Sequence, residues 1–403
     1  MAQLLWGKVY FQEQLAGILS QEPGDRVSFT YDSTYLASGY PAIAHTLPLS
    51  QTPYITTEGL PPFFDNLVAE GWLEEAQTRL LAKRMASRFE LLLAFGADCA
   101  GAVSVIDAEP FRLSTNLLDL NDPKEMAVLT SRASLSGIQP KLAIVQRNNR
   151  YYPAKIGEIS THIAKFPSHK HPDLLQNEYL TLQAIQALLP DDQIVEITID
   201  SIEGLTEPAL IIKRFDRAPQ GRLHFEEFNQ LLGRTAFAKY DGSYQEMAHF
   251  IHTTPGCLPV EVFRLFSRIL AGLLLGNTDM HFKNFALFHT PQGMRLTPIY
   301  DMVAATLYSY KTLALAIGHT HNLQLGQLKA KHILALGNEF TLSQAAMHLA
   351  VKTLEKNKDA AKAAITDADI NQATYLKNQL IDCMEKRWNG TFALIGQSLL
   401  KKP

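Results

Sequence analysis

One stretch constrains this chain more than any other: Gly276-Asn277-Thr278-Asp279-Met280-His281-Phe282-Lys283-Asn284-Phe285, followed after a short segment by Pro298-Ile299-Tyr300-Asp301. An aspartate, an asparagine five positions later and a more distant aspartate can converge only if the chain between them doubles back. Phe285 to Phe288, then Pro291-Gln292-Gly293, then Met294 to Thr297 reads as the β-hairpin that does so, bringing Asn284 and Asp301 side by side. Gly276-Asn277-Thr278 ends an apolar helix in a turn, where the Asp279 carboxylate can be held rigidly. Alone, Asp279 or Asn284 would more often be a helix or turn cap; the ordered set favours chemistry.

That chemistry is phosphoryl transfer, which asks for a carboxylate on the attacking hydroxyl, oxygen ligands for magnesium, and a cation with backbone amides on the phosphates. Asp279 suits the first role, Asn284 and Asp301 the second, in the order protein kinases use. Upstream, Lys165 sits in a strand and Glu178 on the helix after it, the spacing of a phosphate-anchoring lysine and its glutamate partner. Ser134-Leu135-Ser136-Gly137-Ile138-Gln139-Pro140-Lys141 stands where a kinase has its phosphate loop, although as a bare pattern it is a Ser/Gly loop without G-x-G-x-x-G. Ile211 to Arg217 has the position of a hinge, where backbone groups of Lys213 and Phe215 can bind adenine.

The rest of the chain frames these groups. Short turn-bounded runs over residues 1 to 58 read as antiparallel strands, Pro61-Pro62-Phe63 opens helical territory that Gly96-Ala97-Asp98 stops, and Ala102 to Ile106 is a returning strand. Residues 107–124 read as a linker. Strands are then expected at 141–145, 151–155, 161–166, 194–199 and 209–215, with a helix over 177–189. Helices dominate from Glu226, at 261–275, 343–357 and near 370–399. The expected fold is α+β and two-lobed, with a β-rich N-terminal subdomain (1–108), a nucleotide-binding lobe (125–225) and an all-α C-terminal lobe (226–403).

Composition narrows the class. The net charge of -3 provides no basic field for direct nucleic-acid binding. The three widely spaced cysteines, Cys99, Cys257 and Cys383, form neither a disulfide framework nor a zinc site. No apolar run reaches the ~20 residues of a membrane span, and no secretory signal is visible, so a cytoplasmic protein is expected.

The assembled motifs resemble the HipA family, the toxin kinases of bacterial toxin-antitoxin modules. The match is carried by Ser134 to Lys141, Thr161-His162-Ile163-Ala164-Lys165, Asn177-Glu178-Tyr179, Arg214-Phe215-Asp216-Arg217, Gly276 to Phe285 and Tyr300-Asp301, and with the β-rich N-terminal segment it covers nearly the whole chain. The resemblance implies an ATP- and Mg2+-dependent serine/threonine kinase with a remote protein-kinase fold. It implies Asp279 as proton acceptor, Asn284 and Asp301 as magnesium ligands and Lys165 on the phosphates, partnered by Glu178. Lys213, Arg214 and Phe215 would meet the adenine. His281, Phe282, Lys283, Asn284, Tyr300 and Asp301 would line the nucleotide. Ser136, Gly137, Ile138, Gln139, Pro140 and Lys141 would form the phosphate loop. Ser134 matches the family's autophosphorylated serine, and Ser136 adds a second hydroxyl; a phosphoserine there would draw the loop out by recruiting new partners. The partner implied is a small helix-turn-helix antitoxin, through which alone DNA is met, and the substrate implied is an aminoacyl-tRNA synthetase. The chain departs from the branch with a split domain architecture, which Gln139-Pro140-Lys141 resembles, in having its N-terminal subdomain fused.

Three other readings compete. A small-molecule phosphotransferase would use the same Asp, Asn and Asp. A nucleotide-binding regulator would keep the fold with vestigial catalysis, although every catalytic residue type is present. A metallohydrolase built on Asp279-Met280-His281 and Asp301 lacks a further histidine cluster in sequence.

Overall fold

The computed structural model describes residues 4–24, 26–114, 124–125, 128, 133, 135, 139–155, 157–167, 170–370 and 373–400. They fall into two compact units: Met1–Ser168 with Ile197–Ala238, and His169–Glu196 with Lys239–Pro403.

Among the described residues the first unit holds two five-stranded antiparallel sheets and a two-stranded one, Arg217–Ala218 with Gly221–Arg222. Strands β1 (Trp6–Phe11), β2 (Gln14–Glu22), β3 (Arg26–Tyr31), β4 (Tyr54–Ile55) and β5 (Val103–Asp107) order as β4-β3-β2-β1-β5. Period-two alternation sets the faces: Val9 and Phe11 are buried while Trp6 and Lys8 are exposed. Gly17 is required by close approach, since a Cβ there would lie 2.3 Å from the Thr30 carbonyl oxygen. Helices α1 (Gly71–Leu80) and α2 (Arg88–Phe95) connect β4 to β5. Ser87 and Glu90 close a capping box at the start of α2, each bonding the other's backbone N–H. The second sheet comprises β6 (Lys141–Arg147), β7 (Arg150–Pro153), β8 (His162–Lys165), β9 (Ile197–Asp200) and β10 (Ala209–Lys213), in the order β7-β6-β8-β10-β9.

Among the described residues the second unit is helical apart from one hairpin. It contains α3 (Leu174–Leu188), α4 (Tyr244–Thr253), α5 (Val260–Leu274), the hairpin β11 (Ala286–Thr290) and β12 (Gly293–Leu296), then α6 (Ala330–Glu339), α7 (Gln344–Asp367), α8 (Thr374–Arg387) and α9 (Ala393–Leu400). In α5 the apolar positions Val262, Leu265, Phe266, Ile269, Leu270, Leu273 and Leu274 recur at helical spacing and are all buried. Its buried charges are satisfied: Arg268 donates to both Asp192 carboxylate oxygens at 2.7 Å and to the Thr297 carbonyl at 2.8 Å, while Glu261 accepts from the Leu296 N–H at 3.1 Å. One rigid helix therefore fixes the chain on the far side of the hairpin.

Helix α3, grouped by sequence order with the strands of the middle domain, clusters with the helical unit. Nine of its residues are buried, and its last carbonyl, Leu188, accepts from Asn357 of α7 at 3.1 Å. Among the described residues no helix is long and apolar enough to cross a membrane.

Candidate active site

Helix α5 stops at a residue that only glycine suits. Gly276 has φ +86°, and a Cβ on it would lie 2.6 Å from Thr306 Cγ2 and 2.7 Å from Cys383 Sγ. The next residues are stapled in place. The Asn277 side-chain oxygen accepts from the Asp279 N–H at 2.9 Å. Thr278 donates its hydroxyl to the Tyr310 carbonyl at 2.7 Å and accepts the Ala314 N–H on its own carbonyl at 2.8 Å. Asn277, Thr278, Met280 and His281 are buried, and between them Asp279 alone is exposed. A rigid loop thus presents one carboxylate to solvent.

Asp279 is open at its tip yet flanked by protein, and this crowding, together with the charge of Asp301, pushes its carboxyl up to about 6. A hydrogen bond from the Tyr240 hydroxyl at 3.0 Å, and the nearby Lys239 ammonium, work in the opposite direction. The Tyr240 ring in turn stands edge-on to His281, centroids 5.0 Å apart.

The predicted hairpin forms, with Leu287 opposite Leu296 and Thr290 opposite Gly293. It closes on the expected pair: Asn284 Nδ2 donates to Asp301 Oδ2 at 2.9 Å. Asn284 Oδ1 accepts the His281 N–H at 2.9 Å, which holds the amide in one orientation. The Lys283 N–H points at His281 Nδ1, 3.3 Å away, so that nitrogen acts as an acceptor. Tyr300 spans back to the Lys283 carbonyl at 2.8 Å, and Ile299 is held by backbone bonds with Gln193 and Val195. Asp301 itself adopts φ +56°, a left-handed conformation that aspartate tolerates better than most residues and that tends to be kept at working sites.

Asn177 belongs to a motif quoted from the sequence, Asn177-Glu178-Tyr179, but no role was read for it there. Wholly buried on α3, it accepts the Ala304 N–H on Oδ1 at 2.8 Å and donates through Nδ2 to the Ala304 carbonyl at 3.4 Å and the Tyr308 hydroxyl at 3.2 Å. It therefore fixes the chain three residues beyond Asp301. Asn177 and Thr181, four apart and both buried on α3, bond to each other at 3.1 Å. Asn177→Leu is expected to leave the Ala304 N–H unpaired in a buried setting, its carbonyl keeping the Leu307 N–H, and to cost about 1–3 kcal/mol, read as a lowered urea midpoint. Tyr240 was also missed, and no local pattern announces it.

In the first unit, Lys165 of β8 is the register partner of Lys141 on β6 and of Leu210 on β10, so two buried lysines lie directly across adjacent strands. Gln139 donates to the Phe166 carbonyl at 2.9 Å, and Pro140 accepts the Phe166 N–H at 2.9 Å, tying Gln139 to Lys141 onto the end of β8. Ser134, Ser136, Gly137 and Ile138 lie outside the described residues. Lys213 closes β10, and Phe215 packs its ring against Phe225 at 4.9 Å. Arg214 gives its N–H to the Thr161 carbonyl at 3.0 Å and buries its guanidinium. Glu178, fully buried on α3, belongs to the second unit, whereas Lys165 belongs to the first.

Comparison with known proteins identifies relatives of the chain. A family model described as the HipA-like C-terminal domain matches residues 133–368, and one described as the HipA N-terminal domain matches residues 7–106. The serine/threonine-protein kinase toxin HipA of Shewanella oneidensis is 26% identical over 352 residues, covering 78% of this chain and 79% of that protein. The solved complex of Shewanella oneidensis HipA, HipB and operator DNA contains a chain that matches with a TM-score of 0.70 at 22% identity, over 97% of this chain and 99% of that one. The Helicobacter pylori proinflammatory kinase CtkA matches with a TM-score of 0.50 at 12% identity, over 68% and 94%. Both structures share the fold.

Proposed function

This chain belongs to the HipA family of kinases, and from that premise we propose that it is an ATP- and magnesium-dependent serine/threonine protein kinase serving as the toxin of a toxin-antitoxin module. The observation that carries the reading is the Asn284 to Asp301 hydrogen bond beside a rigidly presented Asp279.

The donor set fits a hard divalent cation. The Asp301 carboxylate, and the Asn284 amide oxygen with the lone pair that the His281 N–H leaves it, are hard oxygen donors on adjacent side chains, and the Asp279 carboxyl, raised by burial and by the charge of Asp301, is eased by a cation nearby. When bound, magnesium would neutralise charge on the phosphate oxygens. The protein's own work is orientation. Asp279 receives the hydrogen bond, and then the proton, of the attacking hydroxyl, while Tyr240 fixes one of its oxygens so that the other faces the substrate. Asn284, locked by His281, holds Asp301 in its left-handed conformation.

Resemblance to the family assigns Lys165 with Glu178 and the loop ending at Lys141 to the phosphates, Lys213 and Phe215 to adenine, and Ser134 or Ser136 to autophosphorylation. A HipB-like helix-turn-helix antitoxin as partner is supported by the complex in which the matching Shewanella chain was solved. An aminoacyl-tRNA synthetase as substrate, and a cytoplasmic location, rest on the family reading alone.

Phosphosite mapping of protein purified with and without ATP tests the proposal. Phosphate on Ser134 or Ser136 is expected; label found only in small molecules would establish the metabolite phosphotransferase instead. Tyr240→Phe is expected to lower kcat about 3- to 10-fold with KM for ATP unchanged, the worth of one hydrogen bond to the base, read in steady-state kinetics.

A further inference from the structure

Away from Asp279, the first unit buries a second polar assembly that the proposed chemistry does not use. Three arginines, Arg214, Arg217 and Arg222, meet two aspartates, Asp98 and Asp216, so the cluster holds one more positive than negative charge. Its members come from three places in the chain, one of them Ser160 just before β8. Residues 98–104 follow α2 in the N-terminal subdomain, and residues 214–222 follow β10, where Lys213 and Phe215 stand.

The bonding is dense and reciprocal. The Cys99 carbonyl accepts from all three guanidinium groups, at 2.9, 2.9 and 2.7 Å. Asp98 accepts from the Ser160 N–H at 3.0 Å, the Ser160 hydroxyl at 2.6 Å, Arg214 Nη1 at 3.4 Å and Arg217 Nη2 at 2.7 Å. Ser160 in turn accepts from Arg214 Nη1 at 2.8 Å. Asp216 takes both Arg214 Nε and Nη2, at 3.0 and 2.8 Å, and the Gly101 N–H at 2.8 Å. Arg222 reaches Ser104 and the Gly101 and Val103 carbonyls, both at 3.0 Å. Buried ion networks of this kind are poor sources of stability, because desolvating each ion costs much of what pairing returns. What they do supply is a single geometry.

That geometry includes Arg214. Its N–H is bound to Thr161 and its side chain to Asp98, Ser160, Cys99 and Asp216, so neither Lys213 before it nor Phe215 after it can change backbone direction without breaking the cluster. We propose that Asp98, which Ser160 of the nucleotide-binding lobe holds by two hydrogen bonds, is a positioning residue through which the N-terminal subdomain sets the Lys213 to Phe215 backbone for adenine, making that subdomain a working part of the nucleotide-binding lobe. The inference rests on the kinase reading, and it adds to that reading a residue that no motif singled out.

The test is nucleotide binding by the full chain, using a fluorescent ATP analogue for Kd together with KM for ATP and kcat. Asp98→Asn keeps the shape and removes the charge; Ser160→Ala is the milder variant and decides the matter should Asp98→Asn fail to fold. Asp98→Asn is expected to raise Kd and KM about tenfold, and Ser160→Ala about threefold, each with kcat within about twofold of wild type. A fall in melting temperature with unchanged Kd and KM in a folded variant would overturn the inference alone, leaving a merely structural cluster. A wild-type protein that binds no nucleotide would overturn the kinase reading and this inference with it.

Discussion

Asp279→Asn is expected to slow phosphoryl transfer by about 10²- to 10⁴-fold, the usual contribution of a positioned general base, while nucleotide affinity stays within about twofold. The amide can still accept from Tyr240 and its backbone N–H can still reach Asn277, so the loop keeps its shape and loses only its charge. Stability should move the other way. The carboxyl is pushed above its ordinary value in the folded protein, so the folded state binds protons more tightly than the unfolded chain, and stability falls as pH rises from the unfolded value through about 6. Above that window the ionised Asp279 is a cost that asparagine relieves. A melting temperature at pH 7.5 no lower than wild type, in a variant without transfer activity, would separate a catalytic loss from a folding defect.

Asp301→Asn is expected to lower activity by about 10²- to 10³-fold, because it replaces the charged one of the two proposed magnesium ligands with a second neutral amide. Asparagine is the informative substitution, since it tolerates the left-handed φ of +56° that alanine would strain. The magnesium concentration for half-maximal activity should rise with the loss of charge. An unchanged magnesium saturation curve would remove Asp301 from the ligand set. The same variant takes away the charge that helps to raise Asp279, so the Asp279 carboxyl should move back toward its ordinary range.

The sequence was legible wherever function and fold follow local pattern. The Asn284 and Asp301 pairing could be read because Pro291-Gln292-Gly293 between two short apolar runs is a turn with a mechanism, and Gly276 because a helix stop and a left-handed residue coincide there. The faces of β1 followed from alternation. Helix α7 runs ten residues beyond the 343–357 of its apolar periodicity, which stops there because Lys356, Lys358, Asp359 and Lys362 interrupt the pattern and only Ala361 and Ile365 are buried in its second half. The membership of α3 in the helical unit was not legible, since an amphipathic helix does not state which partner it will cover. Asp98 and Arg214 lie far apart in sequence with no periodicity joining them, and neither could be paired before the fold was known. Tyr240 and Asp279 pose the same difficulty over a shorter span.

The central claim is that Asp279, Asn284 and Asp301 make this HipA-family chain a working phosphotransferase on protein hydroxyls. The most direct measurement follows the γ-phosphate of labelled ATP into the full-length protein, in magnesium and in excess chelator, beside Asp279→Asn. The account predicts label on serine in magnesium, none in chelator and none in the variant. Equal label in the wild type and the Asp279→Asn variant, or transfer undiminished by chelation, would contradict it.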